Sequence, residues 1–144
     1  MAINTSKVIV GGIIGGIVAN VIDFISSTYI LGGMQTAAMT KLNPALAVKP
    51  SGTQIAGFLI LDFVWIIATV WVYAAIRPRF GPGPKTAAYA GIASWVIGST
   101  VAGFFCVLGL FGSDLFVAAS VVALINAIVS TMVGARFYTE ESVA

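Results

Sequence analysis

The sequence predicts an all-α fold, a membrane bundle of four transmembrane helices, and three observations carry that prediction. Hydrophobic residues make up 59% of the 144 positions and charged residues 8%, with a mean hydropathy of +1.04, more apolar surface than one small soluble domain can hide. Four apolar stretches each reach the ~20 residues that a helix needs to cross hydrocarbon. Asp23 and Asp62 are the only charged residues inside those stretches.

The first stretch runs from Val8 to Leu31. It is too long for a signal-peptide core, contains Asp23 and is followed by no Ala-x-Ala site, so it reads as a retained span. In the loop from Gly32 to Gln54, Met34, Ala37, Ala38 and Leu42 recur at helical spacing before Asn43 and Pro44, which predicts a short interfacial helix over 34–42. The second span covers Ile55 to Ile76. Pro78, Gly81, Pro82, Gly83 and Pro84 follow it and are expected to end the helix. The third and fourth spans, Ala87 to Phe111 and Leu115 to Ala135, are joined by Gly112, Ser113 and Asp114, a turn with an N-cap that makes a tight hairpin. Strands are excluded because the runs lack alternation and an isolated strand leaves its backbone unpaired in lipid. The whole chain, 1–144, reads as a single domain.

Orientation follows from the basic residues. With the N-terminus inside, the inner side carries Lys7, Arg77, Arg79, Lys85 and Arg136, against Lys41 and Lys49 outside, so the positive-inside rule places both termini in the cytoplasm. Tyr73, Tyr89 and Tyr138 then lie near the inner interface and Tyr29 near the outer one.

Lipid tails compete for apolar side chains, so helix association depends on close backbone approach at small residues four apart. The first span has two such rows, Gly11, Gly15, Ala19, Asp23 and Gly12, Gly16, Asn20. The third offers Ala90, Ser94, Gly98 and Ala102, and the fourth Ala119, Ala123, Ala127 and Thr131. These faces serve either a bundle within the chain or contacts with a neighbouring chain.

Most enzyme chemistry is missing from the composition. There is no histidine and Cys106 is the single cysteine, which removes the usual haem and zinc ligand, Ser-His catalysis, CxxC redox chemistry and disulfides within the chain. Ile13 breaks the Gly-x-Gly-x-x-Gly pattern that the glycines of the first span suggest, and that stretch lies inside a span. No cofactor is implied. A formal charge of +2 from seven basic and five acidic residues is too small for a nucleic-acid surface.

The intramembrane acids are the informative residues, since a charge near a helix centre costs ~2.5 to 3.5 kcal/mol on insertion scales. Counting from Leu31 and Ile55, Asp23 and Asp62 sit ~12 and ~10 Å from the outer edge, at matching depth on antiparallel helices. Asn20 and Asn126 are each eleven residues from the outer ends of their spans, ~16 Å in. Together these four side chains are candidates to hold a proton or a cation. The alternative is that they hydrogen-bond across helices and carry nothing. The basic loop from Arg77 to Lys85, with Arg77, Arg79 and Lys85, is a candidate contact for anionic headgroups or for a partner protein.

The run from Val72 to Ala87, VYAAIRPRFGPGPKTA, resembles a segment of small bacterial four-helix membrane proteins with no assigned activity, and the glycine-rich first helix ending in Asn and an acid is similar too. The resemblance implies a bacterial inner membrane location and carries over no catalytic residue. Small multidrug transporters also have four helices and an acid in the first, but Asp62, the 23-residue first loop and the charge bias depart from them.

The sequence therefore leads to a non-enzymatic membrane protein that acts through helix packing, as an accessory subunit of a larger complex or a homo-oligomer. The competing expectation is a small proton- or cation-coupled transporter or channel using Asp23 and Asp62.

Overall fold

A computed structural model describes residues 3–46 and 48–140. Among these the regular structure is entirely helical: α1 Thr5–Ser26, a π turn Ser27–Leu31, α2 Gly32–Leu42, a 3-10 turn Pro44–Leu46, α3 Gly52–Phe80, α4 Pro84–Val107 and α5 Ser113–Ala135. Four helical rods, Thr5–Leu42, α3, α4 and α5, are long and apolar enough to cross a membrane.

Local chemistry sets the ends. Asn4 Oδ1 accepts from the Lys7 amide at 3.1 Å and caps α1. Ser51 and Gln54 form a reciprocal capping box on α3, with Gln54 Oε1 accepting from the Ser51 amide at 2.8 Å. That Ser-x-x-Gln pattern is visible in the sequence and starts the helix at Gly52, ahead of the expected Ile55. The expectation that Pro78 ends this helix fails, because α3 runs on to Phe80. Pro78 lies in the last turn, where its missing N–H costs a single hydrogen bond. Pro84 opens α4 at its first turn, a position whose N–H has no partner in any helix. The turn before α5 has Gly112 as its cap with no side-chain hydrogen bond, so the expected side-chain N-cap is not formed.

The predicted helix over 34–42 exists but is not separate. It continues α1 through the π turn, where the widened backbone brings the Ser27 carbonyl to 2.5 Å from the position a Gly32 Cβ would take. No residue of α2 is buried. A 38-residue rod is ~57 Å long, so it extends well past the bundle.

α1 packs against α3 and α5, while α4 packs mainly against α5 and also against α3. The two glycine rows of α1 serve different neighbours. A Cβ on Gly11 would lie 2.5 Å from the Gly134 carbonyl oxygen, and one on Gly15 2.6 Å from that of Ser130, both on α5. On the other row, Gly12 sits against Ile67 and Gly16 against Phe63, both on α3. A Cβ on Gly91 of α4 would lie 2.7 Å from the Ala127 carbonyl oxygen. The small-residue faces are thus used within the chain. Gly98 and Ala102 contribute less than their spacing suggests: a Cβ on Gly98 would meet only the Trp65 ring, at 3.3 Å, and Ala102 is half-buried.

These contacts concentrate at one end. The buried residues Val8, Ile66, Val70, Tyr73, Ala87, Ala90, Ser130 and Thr131 all belong to the half that holds the start of α1 and the α3–α4 turn. Toward the other end α3 diverges. From Gly52 to Leu61 only Gly57 is even half-buried, and nothing lies within 4 Å of where its Cβ would be. α4 and α5 stay joined there through a Ser99–Ser120 hydroxyl pair at 3.1 Å and the Trp95 indole donating to the Ser120 carbonyl at 2.8 Å. The bundle is therefore tight at one end and parts along α3 toward the other.

Candidate ligand-binding cleft

Where α3 begins to part from α1 and α5, a cleft of about 230 Å³ opens, lined by Asp23, Asp62, Asn126 and Trp65 with Ala19, Ile66, Ala123 and Ala127. Asp23 reaches it because it continues the Gly11, Gly15, Ala19 row that faces α5. Asn126, the buried member of the set, donates from Nδ2 to Asp23 Oδ1 at 2.8 Å and to the Ala19 carbonyl at 3.3 Å. Its Oδ1 accepts from the Ser130 hydroxyl at 2.7 Å. The amide is engaged on both sides, which holds its Nδ2 toward the acid.

Asp62 enters the cleft from α3, but not at the depth of Asp23. The pairings Gly12–Ile67 and Gly16–Phe63 set an antiparallel register that puts Asp62 beside Ile17. It lies six residues deeper than Asp23, ~9 Å at the helical rise. The expectation of matching depth fails because span ends are not level marks: α1 continues as helix beyond Leu31 and α3 starts at Gly52. Side chains lean toward the N-terminus of their helix, so the two carboxylates on antiparallel helices lean toward each other across that offset.

Asn20 is not brought to the cleft. It belongs to the Gly12, Gly16 row facing α3, its Nδ2 donates to the Gly16 carbonyl at 2.8 Å, and its Oδ1 is buried without a partner. Three of the four predicted polar residues line the cleft together with Trp65, and Ser130 holds Asn126 from the buried side. Trp65 could have been found one turn after Asp62, whereas nothing in the sequence links Ser130 to Asn126 beyond their four-residue spacing.

Among the described residues, no lysine or arginine lines the cleft. Two carboxyls, one of them oriented by an amide, offer acceptor oxygens to a proton, a monovalent cation or a small ammonium group. Apolar walls of Ile66 and alanine methyls strengthen any such contact by keeping the local dielectric low.

At the tight end, the basic residues separate into two kinds. Arg77 lies 3.1 Å from Glu140 and stacks over the Tyr138 ring at 5.5 Å. The pair is a charge contact rather than an aligned hydrogen bond, since Arg77 Nη1 lacks a well-directed acceptor. Tyr138 also meets Tyr73 edge-on at 5.9 Å and accepts from the Asn4 amide at 3.4 Å. Arg77 is therefore part of a latch that ties the C-terminal segment to α3. Arg79 and Lys85 are exposed, with Lys85 near the Tyr89 ring at 5.9 Å. The chain matches no protein-family model, no curated protein and no solved structure.

Proposed function

We propose that this protein is a multi-pass membrane protein, with both termini in the cytoplasm, that takes up a proton or a small monovalent cation at Asp23 and Asp62 from the opposite side. The orientation is supported by the charge asymmetry of the two ends: Lys7, Arg77, Arg79, Lys85 and Arg136 at the tight end against Lys41 and Lys49 at the other. The uptake reading rests on one observation, the convergence of Asp23, Asp62 and Asn126 on a single cleft free of basic residues. Below that cleft, Gly11, Gly12, Gly15 and Gly134 close the tight end at backbone distance, so passage through the protein requires those helices to separate. A coupled carrier fits this geometry better than a standing pore.

The test is flux in reconstituted vesicles, with a pH-sensitive dye inside and a panel of monovalent cations outside. Flux that is present in the natural protein and lost in Asp23→Asn and Asp62→Asn supports the reading. Flux unchanged in both variants removes the acids from the mechanism.

A second reading, an accessory subunit of a bacterial inner-membrane complex or a homo-oligomer, is supported by the outer part of α3, which the chain itself leaves largely uncovered around Gly57. Purification in mild detergent followed by mass spectrometry tests it. A partner or second copy in stoichiometric amount supports this reading, and a bare monomer sinks it.

A further inference from the structure

At the tight end, on the flank of the α4–α5 seam, a second and larger cavity of about 550 Å³ is built from apolar α5 side chains and a polar rim. Val129, Met132, Val133 and Arg136 line it. Their spacing of i, i+3, i+4 and i+7 puts them on one face of α5, a strip ~10 Å long with the only charge at its end. The rim opposite is the turn into α4, Gly83 and Pro84.

That rim has features that suit an anion. Gly83 makes no side-chain cap, so the first amides of α4 are not satisfied by a capping group. The positive end of a 24-residue helix dipole faces the same place. Gly81 and Gly83 have φ of 82° and 124°, backbone that only glycine adopts at ease. The Gly83 amide donates to the Tyr73 hydroxyl at 3.3 Å, and Thr86 Oγ1 donates to the Gly81 carbonyl at 2.7 Å. The turn is thus held in one shape. Arg136, the one basic residue of the lining, is exposed beside it. Among the described residues, no acidic side chain lines the cavity.

We propose that this groove is a binding site for one anionic phospholipid of the cytoplasmic leaflet, its phosphate between Arg136 and the start of α4 and one acyl chain along Val129, Met132 and Val133. The inference rests on the membrane reading and orientation above but not on the acidic cleft. Charge complementarity selects the headgroup, and the apolar strip selects a tethered chain over a free anion. Val129, at the far end of the strip, is 39% exposed, so the groove is open sideways and a lipid can enter from the bilayer.

The experiment is native mass spectrometry and thermal unfolding of the full chain in neutral detergent. The ligands are phosphatidylglycerol, phosphatidylcholine with the same acyl chains, or inorganic phosphate. Retention of one phosphatidylglycerol with a raised Tm, and neither effect from the other two, is the expected result. Arg136→Gln should weaken retention roughly tenfold, the scale of one hydrogen bond to a charged group. Val133→Trp should block the groove, while Lys41→Gln at the opposite end should change nothing. Equal retention of both lipids, an equal effect of inorganic phosphate, or indifference to both groove variants would overturn the proposal. Because the readout is retention rather than flux, its failure is separate from failure of the cation reading.

Discussion

Asn126 donates to the carboxylate of Asp23 at 2.8 Å, across 103 positions of sequence, while its own carbonyl accepts from Ser130 at 2.7 Å. This chain of three polar side chains joins α1 to α5 at the depth where α3 begins to leave the bundle, and it orients one wall of the cleft.

The pair should be measurable as a coupling energy. A double-mutant cycle of Asp23→Ala and Asn126→Ala, read by unfolding in mixed detergent micelles, is expected to give ~0.6 to 1.7 kcal/mol, the range for hydrogen bonds between membrane helices. Additive single effects would show that the contact holds nothing together.

The glycines should divide by position. Gly11→Ala and Gly15→Ala place a methyl against a carbonyl oxygen at 2.5 and 2.6 Å, contacts that only a backbone shift can relieve. Each should cost ~2 kcal/mol or more, the scale of overpacking in a close-fitted core. Gly57→Ala meets open space and should be neutral, or more stable by up to ~1 kcal/mol from helix propensity. A uniform response of all three sites would contradict a bundle that is tight at one end only.

Access to the cleft is testable with thiols. In a Cys106→Ser background, Ala123→Cys lies on the cleft wall and should react with a membrane-impermeant maleimide added to intact cells. Ser130→Cys, fully buried in the tight half, should not. Labelling of Ala123→Cys only in inverted vesicles would reverse the proposed orientation.

The C-terminal latch should be modest in energy and aromatic in character. Glu140→Gln removes a partly exposed ion pair with Arg77, for which ~0 to 1 kcal/mol is expected. Tyr138→Ala removes a nearly buried ring, its edge contact with Tyr73 and the stack under Arg77, and should cost ~3 kcal/mol or more. Thermal unfolding of the two variants orders them, and a larger loss from Glu140→Gln would place the latch in the charge pair instead.

Much of the fold is legible in the residues. The four rods follow from apolar length, and the two small-residue rows of the first span prove to face different neighbours, α5 for Gly11 and Gly15, α3 for Gly12 and Gly16. A one-residue offset, about 100° around the helix, is enough to separate them. That separation also decides the site: Asp23 on the first row reaches Asn126, and Asn20 on the second does not. Depth along the axis groups Asn20 with Asp23, but the two residues end separate rows around the helix, and which row meets Asn126 is set by the packing of α5.

Helix ends were less legible. Pro78 is a strong breaker in isolation, yet in a last turn its penalty is small and α3 continues to Phe80. The first rod likewise passes Leu31 through a π turn that no residue preference announces.

Composition and hydropathy by themselves determined that this chain is four apolar helices with two acids inside them, because the length and period of an apolar run are properties of adjacent residues. Only the tertiary structure decided that Asp62 lies deeper than Asp23, that Arg77 is spent on Glu140, and that Gly134 and Gly91 are as close-packed as the first-span glycines. Register and rotation between helices depend on which small residues meet across the interface, and that is a property of pairs of surfaces which no single stretch of sequence contains.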